Sequence, residues 1–100
     1  MDKKWFKLNI SQIETYCRKY HIISFALFGS ILTSGFNKSS DVDILVNFDV
    51  NHMPTLFGIV DMEFELSSII GWPVDLKTPE DLSPYFRNDV VAHAEVIYNG

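Results

Sequence analysis

Hydrophobic positions in this chain switch between helical spacing and continuous runs, and each switch marks an element. Ile10, Ile13, Tyr16, Cys17 and Tyr20 recur at helical spacing, and Ser11 followed three residues later by Glu14 has the form of a capping box. These features predict a first helix from about Ser11 to Tyr20. His21 and the run Ile22-Ile23-Ser24-Phe25-Ala26-Leu27-Phe28 read as a buried strand bounded by Gly29-Ser30. Ile31 to Ser34 reads as one or two helical turns before a loop rich in Gly, Asn and Ser. The second strand is Val42 to Phe48, and Asp49 to Pro54 contains the turn formers of a connection. From Thr55 to Ile70, Leu56, Ile59, Val60, Glu63, Phe64, Leu66 and Ile70 sustain a helical stripe that Gly71 ends.

Trp72-Pro73 then leads into a short third strand, Val74-Asp75-Leu76, with an acid between two apolar residues. Thr78 as cap and Pro79 at the first helical position open a segment that runs in pieces, interrupted by Pro84, to about His93. Glu95 to Tyr98 is either a last short strand or the tail. This order of helices and strands predicts a small α/β or α+β fold, a mixed sheet flanked by helices, with residues 1–100 forming one domain.

Composition narrows the function classes. At 100 residues the chain buries only about two-thirds of its unfolded surface, which leaves no room for a separate substrate domain. With 47% hydrophobic residues, 14% aromatic, it is globular rather than disordered. Its apolar stretches fall far short of the roughly 20 residues that span a bilayer, and Met-Asp-Lys-Lys-Trp-Phe lacks the apolar core of a signal peptide, so it reads as cytoplasmic. One cysteine, Cys17, excludes an intrachain disulfide and a thiolate metal pair, and reads as core filler. A net charge of −5 with eight Lys and Arg argues against nucleic acid as the main partner and suits recruitment of divalent cations.

The candidate chemistry centres on Asp41 and Asp43. Side chains at i and i+2 of a strand share a face, so both carboxylates emerge together from a segment otherwise expected to be buried. An ionised group there is expensive unless compensated. Upstream, the turn at Gly29-Ser30 offers backbone N–H groups that could hold a phosphate. If the strand of Asp75 lies beside that of Asp41 and Asp43 on the same face, three acids repel, at least one pKa rises, and Mg²⁺ relieves the strain. Two such ions stabilise the attacking and leaving oxygens of an in-line displacement at phosphorus, so the layout supports nucleotidyl transfer.

Gly29-Ser30, ten intervening residues and Asp41-Val42-Asp43 resemble the signature of the DNA polymerase β-like nucleotidyltransferase superfamily. The chain looks like its minimal members, the MNT proteins of HEPN/MNT toxin–antitoxin pairs. The likeness extends through Val74-Asp75-Leu76-Lys77-Thr78-Pro79-Glu80-Asp81-Leu82-Ser83-Pro84 to the ending around Glu95 to Tyr98. It implies transfer of AMP from ATP, with Asp41 and Asp43 as ligands of two Mg²⁺ ions. Asp75 is then a ligand of the catalytic ion and a base for the incoming hydroxyl, and Gly29, Ser30 and Ser40 hold the nucleotide. It also implies a HEPN-domain toxin as partner, while a homodimer stays open. Many members carry Arg-Gly at the fifth and sixth signature positions, where this chain has Thr33-Ser34 and then Gly35; Lys38 lies on the same loop.

Ordinary roles exist for each residue singled out. Gly29 is also a turn glycine, Ser30 a helix cap, and an isolated Asp-x-Asp pair more often ends a strand at the surface. His21, His52 and His93 show no metal-ligand spacing and read as surface or partner-packing residues. Tyr16, Tyr20, Trp5 and Trp72 read as core or rim packing, and Tyr85-Phe86 as part of an exposed apolar patch for a partner. A competing function is a non-catalytic antitoxin or regulatory subunit that neutralises its partner by occlusion. A weaker one is half of a drug-modifying nucleotidyltransferase.

Overall fold

The computed structural model describes residues 8–37 and 39–100, so Trp5 and Lys38 lie outside the described residues. Helix α1 (Ile10–Lys19) precedes strand β1 (Ile22–Phe28), which runs directly into a 3₁₀ turn, Gly29–Leu32. Strand β2 (Val42–Phe48) is followed by a 3₁₀ turn at Val50–His52, helix α2 (Leu56–Ile70) and strand β3 (Val74–Lys77). A 3₁₀ turn at Pro79–Asp81, helix α3 (Arg87–His93) and strand β4 (Glu95–Asn99) complete the chain. No helix among the described residues is long and apolar enough to cross a membrane.

The four strands form one mixed sheet in the order β3-β2-β1-β4. β1 pairs antiparallel with β2 and with β4, so the ending left open between strand and tail is an edge strand. β3 pairs parallel with β2. α2 supplies the crossover that a parallel neighbour requires, since a tight hairpin can join only antiparallel strands.

Alternation divides the sheet into two faces. Val42, Ile44, Val46 and Phe48 of β2 are buried with Phe25 and Leu27 of β1, and Ile13, Tyr16 and Cys17 of α1 with Met62 and Leu66 of α2 complete that core. Asp43, Leu45 and Asn47 therefore belong to the other face, with Phe28, Ala26 and Ser24 as their β1 partners. Cys17 is core filler, as its apolar neighbours suggested, and burial pushes its thiol up to about 12. The Tyr16 hydroxyl donates to the Met62 carbonyl at 3.0 Å, and Lys19 Nζ lies 3.0 Å from Glu65 Oε1, so α1 is tied to α2 at two places.

Two helix ends differ in how far the expected signals were used. Ser11 and Glu14 do not cap α1: the cap lies two residues earlier, where Asn9 Oδ1 accepts from Gln12 N at 3.1 Å. Asn is as good a cap as Ser, and its position lets Ile10 begin the helix. At α2 the expected stop operates, Gly71 closing the helix at φ 76°, and Thr55 proves to be the cap, its Oγ1 accepting from Gly58 N.

Nothing lies within 4 Å of a Cβ built on Gly71, so substitution there tests backbone conformation alone. Gly71→Ala should cost about 1 kcal/mol, a fall in melting temperature of about 4–8 °C, whereas Gly71→Asn should recover part of the loss. Thermal denaturation of the two variants checks this.

Candidate active site

The parallel register of β2 and β3 pairs Val42 with Val74, Asp43 with Asp75, Ile44 with Leu76 and Leu45 with Lys77. Asp43 and Asp75 are thus side by side on the face away from α1 and α2. Asp41, two residues before Asp43, stands exposed at the entrance of the same strand. β3 is an edge strand whose position is held from outside by α2: Val74 N donates to Ser67 Oγ at 3.2 Å, and Leu76 N donates to Glu63 Oε2 at 2.8 Å. These bonds flank Asp75 and satisfy edge groups that would otherwise be open to other strands.

Gly29 sits against Asp43. Phe28 pairs with Asp43 in the β1–β2 register, and the next residue turns the chain at φ 76° so closely that a Cβ there would collide with Asp43 Oδ2. The position therefore needs glycine for two reasons, a left-handed backbone and contact with a carboxylate. Ser30 follows in the first turn, half-buried, and its carbonyl accepts from Thr33 N and from Thr33 Oγ1, each at 2.9 Å. Thr33 Oγ1 also accepts from Gly35 N at 3.1 Å. Thr33, at the fifth signature position, is thus committed to the turn.

Ser40 lies at the other end of this loop. Its Oγ accepts from Asn37 N at 3.2 Å, and its carbonyl accepts from Trp72 Nε1 at 2.6 Å. Val42 N donates to the Pro73 carbonyl at 2.8 Å. Trp72-Pro73 accordingly grips the backbone on both sides of Asp41, a positioning role missed when Trp72 is read only as rim packing. Lys77 was missed too. Its Nζ is 3.6 Å from Asp75 Oδ1, and the signal for it was the two-residue spacing that puts both on one face.

Asp43 carries the electrostatic cost of this arrangement. Its carboxyl is held above the usual aspartate value, first by burial, then by the negative charges of Asp75 and Asp41, with Lys77 opposing them. Three carboxylates on one face are hard oxygen donors of the kind magnesium prefers, and a cation would offset the repulsion at Asp43. The donor set fits such an ion in chemistry. Among the described residues, however, no three His, Cys, Asp or Glu side chains are already drawn in to metal-binding distance, and Asp75 turns toward Lys77. A cavity of about 600 Å³ meets this face only at Asp75 and Lys77; the rest of its wall comes largely from Phe48, Met53 and the first turns of α2.

The histidines stand apart from the acids. His21 and His52 stack on each other with ring centroids 3.6 Å apart, at the end of β1 far from Asp43, and His93 Nδ1 contacts the Asp89 carbonyl. Tyr85 and Phe86 are exposed.

A family model of the nucleotidyltransferase domain matches residues 10–97. A Methanocaldococcus jannaschii protein named as a candidate protein adenylyltransferase is 36% identical over 73 residues, covering 72% of this chain and 73% of that relative. The protein adenylyltransferase MntA of Thermococcus cleftensis is 30% identical over 80 residues, 80% of this chain and 77% of MntA. In fold, the chain is similar to one in a solved toxin–antitoxin complex with AMP-PNP, at TM-score 0.74 and 22% identity over 93% of this chain and 75% of that one. It is also similar to a chain in the solved complex of tri-AMPylated Shewanella oneidensis HEPN toxin with MNT antitoxin, at TM-score 0.65 and 20% identity over 91% and 70%.

The raised Asp43 value sets a pH dependence. The folded protein holds this proton more tightly than the unfolded chain, so stability falls as pH rises from the ordinary aspartate value through the raised one, and stays lower at neutral pH. Asp43→Asn should therefore raise the melting temperature of the metal-free protein at pH 7, and the gain should vanish near pH 3. Thermal denaturation in EDTA at the two pH values measures it.

Proposed function

The chain belongs to the nucleotidyltransferase domain family, and from that premise we propose that it transfers AMP from ATP to a hydroxyl on a partner protein, a HEPN-domain toxin, as the antitoxin of the pair. The carrying observation is the meeting of the Gly29 turn with the carboxylate of Asp43, beside Asp75. A phosphate held on the amides of Gly29-Ser30 lies next to acids that divalent ions can bridge. In this reading Asp41, Asp43 and Asp75 would hold Mg²⁺, which supplies charge neutralisation for the triphosphate when bound. Gly29, Ser30 and Ser40 line the nucleotide's side of the cleft. The acceptor oxygen attacks the α phosphorus, the bond to the β-phosphate oxygen breaks, and pyrophosphate leaves. Asp75, on edge strand β3, would take the hydroxyl proton. Support for a protein acceptor comes from the relatives named protein adenylyltransferase and from the AMPylated toxin in the S. oneidensis complex.

A second reading has a specific observation behind it. Thr33 is bonded within its turn where many relatives place a basic residue, which suits a subunit that binds and occludes its partner without turnover.

Incubation with α-labelled ATP, Mg²⁺ and the HEPN partner should label the partner, and the double variant Asp41→Asn, Asp43→Asn should reduce labelling to background. Neutralisation of the toxin separates the two readings: the enzyme loses it in the double variant, whereas an occluding subunit keeps it. Thermal denaturation with Mg²⁺ and ATP supplies an independent check, since a ligand at 100 times its dissociation constant adds about 2.7 kcal/mol.

A further inference from the structure

We propose that Lys77 is the phosphate-binding cation of this site, paired with Asp75 in the free protein and transferred to the nucleotide's triphosphate on binding. The inference rests on the reading of the acidic face given above. Lys77 ends β3 opposite Leu45, on the face that carries Asp43 and Asp75. Its Nζ is 3.6 Å from Asp75 Oδ1, and its charge pulls the Asp43 carboxyl down against the three effects that raise it.

The pair is built for exchange rather than for stability. At 3.6 Å it is longer than a good charge-assisted hydrogen bond, and the two side chains are 42% and 41% exposed. Exposed pairs of this kind contribute little to folding. A lysine ammonium is a compact charge on a flexible stem, able to follow a phosphate oxygen over several ångströms. Of the other described cations, Arg18 and Lys19 belong to α1, across the sheet from the acids, with Lys19 holding Glu65, and Arg87 donates to the carbonyls of Pro79, Glu80 and Leu82. Within the Gly29–Ser40 loop, Thr33 closes its own turn instead of offering charge. Lys77 stands on β3, across β2 from the Gly29 turn.

This arrangement ties two binding events together with opposite signs. Without nucleotide, Lys77 competes with a divalent cation for Asp75. With nucleotide, Asp75 is engaged as a ligand and the released ammonium meets the phosphates.

The test is a pair of titrations on the full chain and on Lys77→Met and Lys77→Arg. Mn²⁺ alone, followed by electron paramagnetic resonance, should bind Lys77→Met about two- to fivefold more tightly than wild type. AMP-PNP with Mg²⁺, followed by calorimetry, should bind Lys77→Met about tenfold more weakly, while Lys77→Arg stays within about twofold of wild type. Wild-type affinity for AMP-PNP in Lys77→Met would overturn the role of Lys77 and leave the acidic face intact. Loss of both Mn²⁺ and AMP-PNP binding in Lys77→Met would also overturn it, by making the lysine structural. If wild type binds neither probe, the acidic-face reading falls and this inference falls with it.

Discussion

The site depends on one register: β3 lying parallel to β2 with Asp75 beside Asp43. Side chains alternate with a period of two, so a slip of one residue would carry Asp75 into the core and bring Leu76 out among the acids. Two forces oppose the slip. Leu76 is 4% exposed and packs with Ile44, so the apolar term favours the observed pairing. The hydrogen bonds that Val74 N and Leu76 N donate to Ser67 and Glu63 of α2 then fix the outer edge. A polar residue in the middle of a largely apolar helix thereby acquires a purpose that hydropathy alone hides.

The acids are held at the boundary of the core rather than within it. β2 is buried along Val42, Ile44, Val46 and Phe48, and that burial pins the strand so firmly that Asp43 cannot retreat from its neighbours. Its raised pKa is the electrostatic counterpart of that rigidity. The cost is local, and the large core can carry it, which is the usual relation between a functional cluster and its scaffold.

Much of this was legible beforehand because the signals were local. β2 follows the apolar run Val42 to Phe48 at both ends, Gly71 stops α2 through its left-handed backbone, and Pro84 interrupts the last helical segment before Arg87. Asp41, Asp43 and Asp75 stand out because acids amid β-branched residues are costly without a reason. What escaped notice depended on partners distant in sequence. The capping box at Ser11 looked sound, but Asn9 two residues earlier serves the helix equally well. The tail could not be told from a strand because its pairing partner is β1, some seventy residues upstream in the chain. Trp72 and Lys77 gain their roles only when the sheet assembles, through the Ser40 carbonyl and the Asp75 carboxylate.

The indole bond from Trp72 to Ser40 has an energetic meaning for any molecule that docks there. A loop left slack would have to surrender conformational freedom at the moment of docking, and that entropy would subtract from affinity. Here the aromatic anchor, itself tilted against Phe36, draws in the peptide ahead of Asp41 while the protein folds. The ordering is charged to assembly of the domain, so an incoming guest meets a rim that is already set.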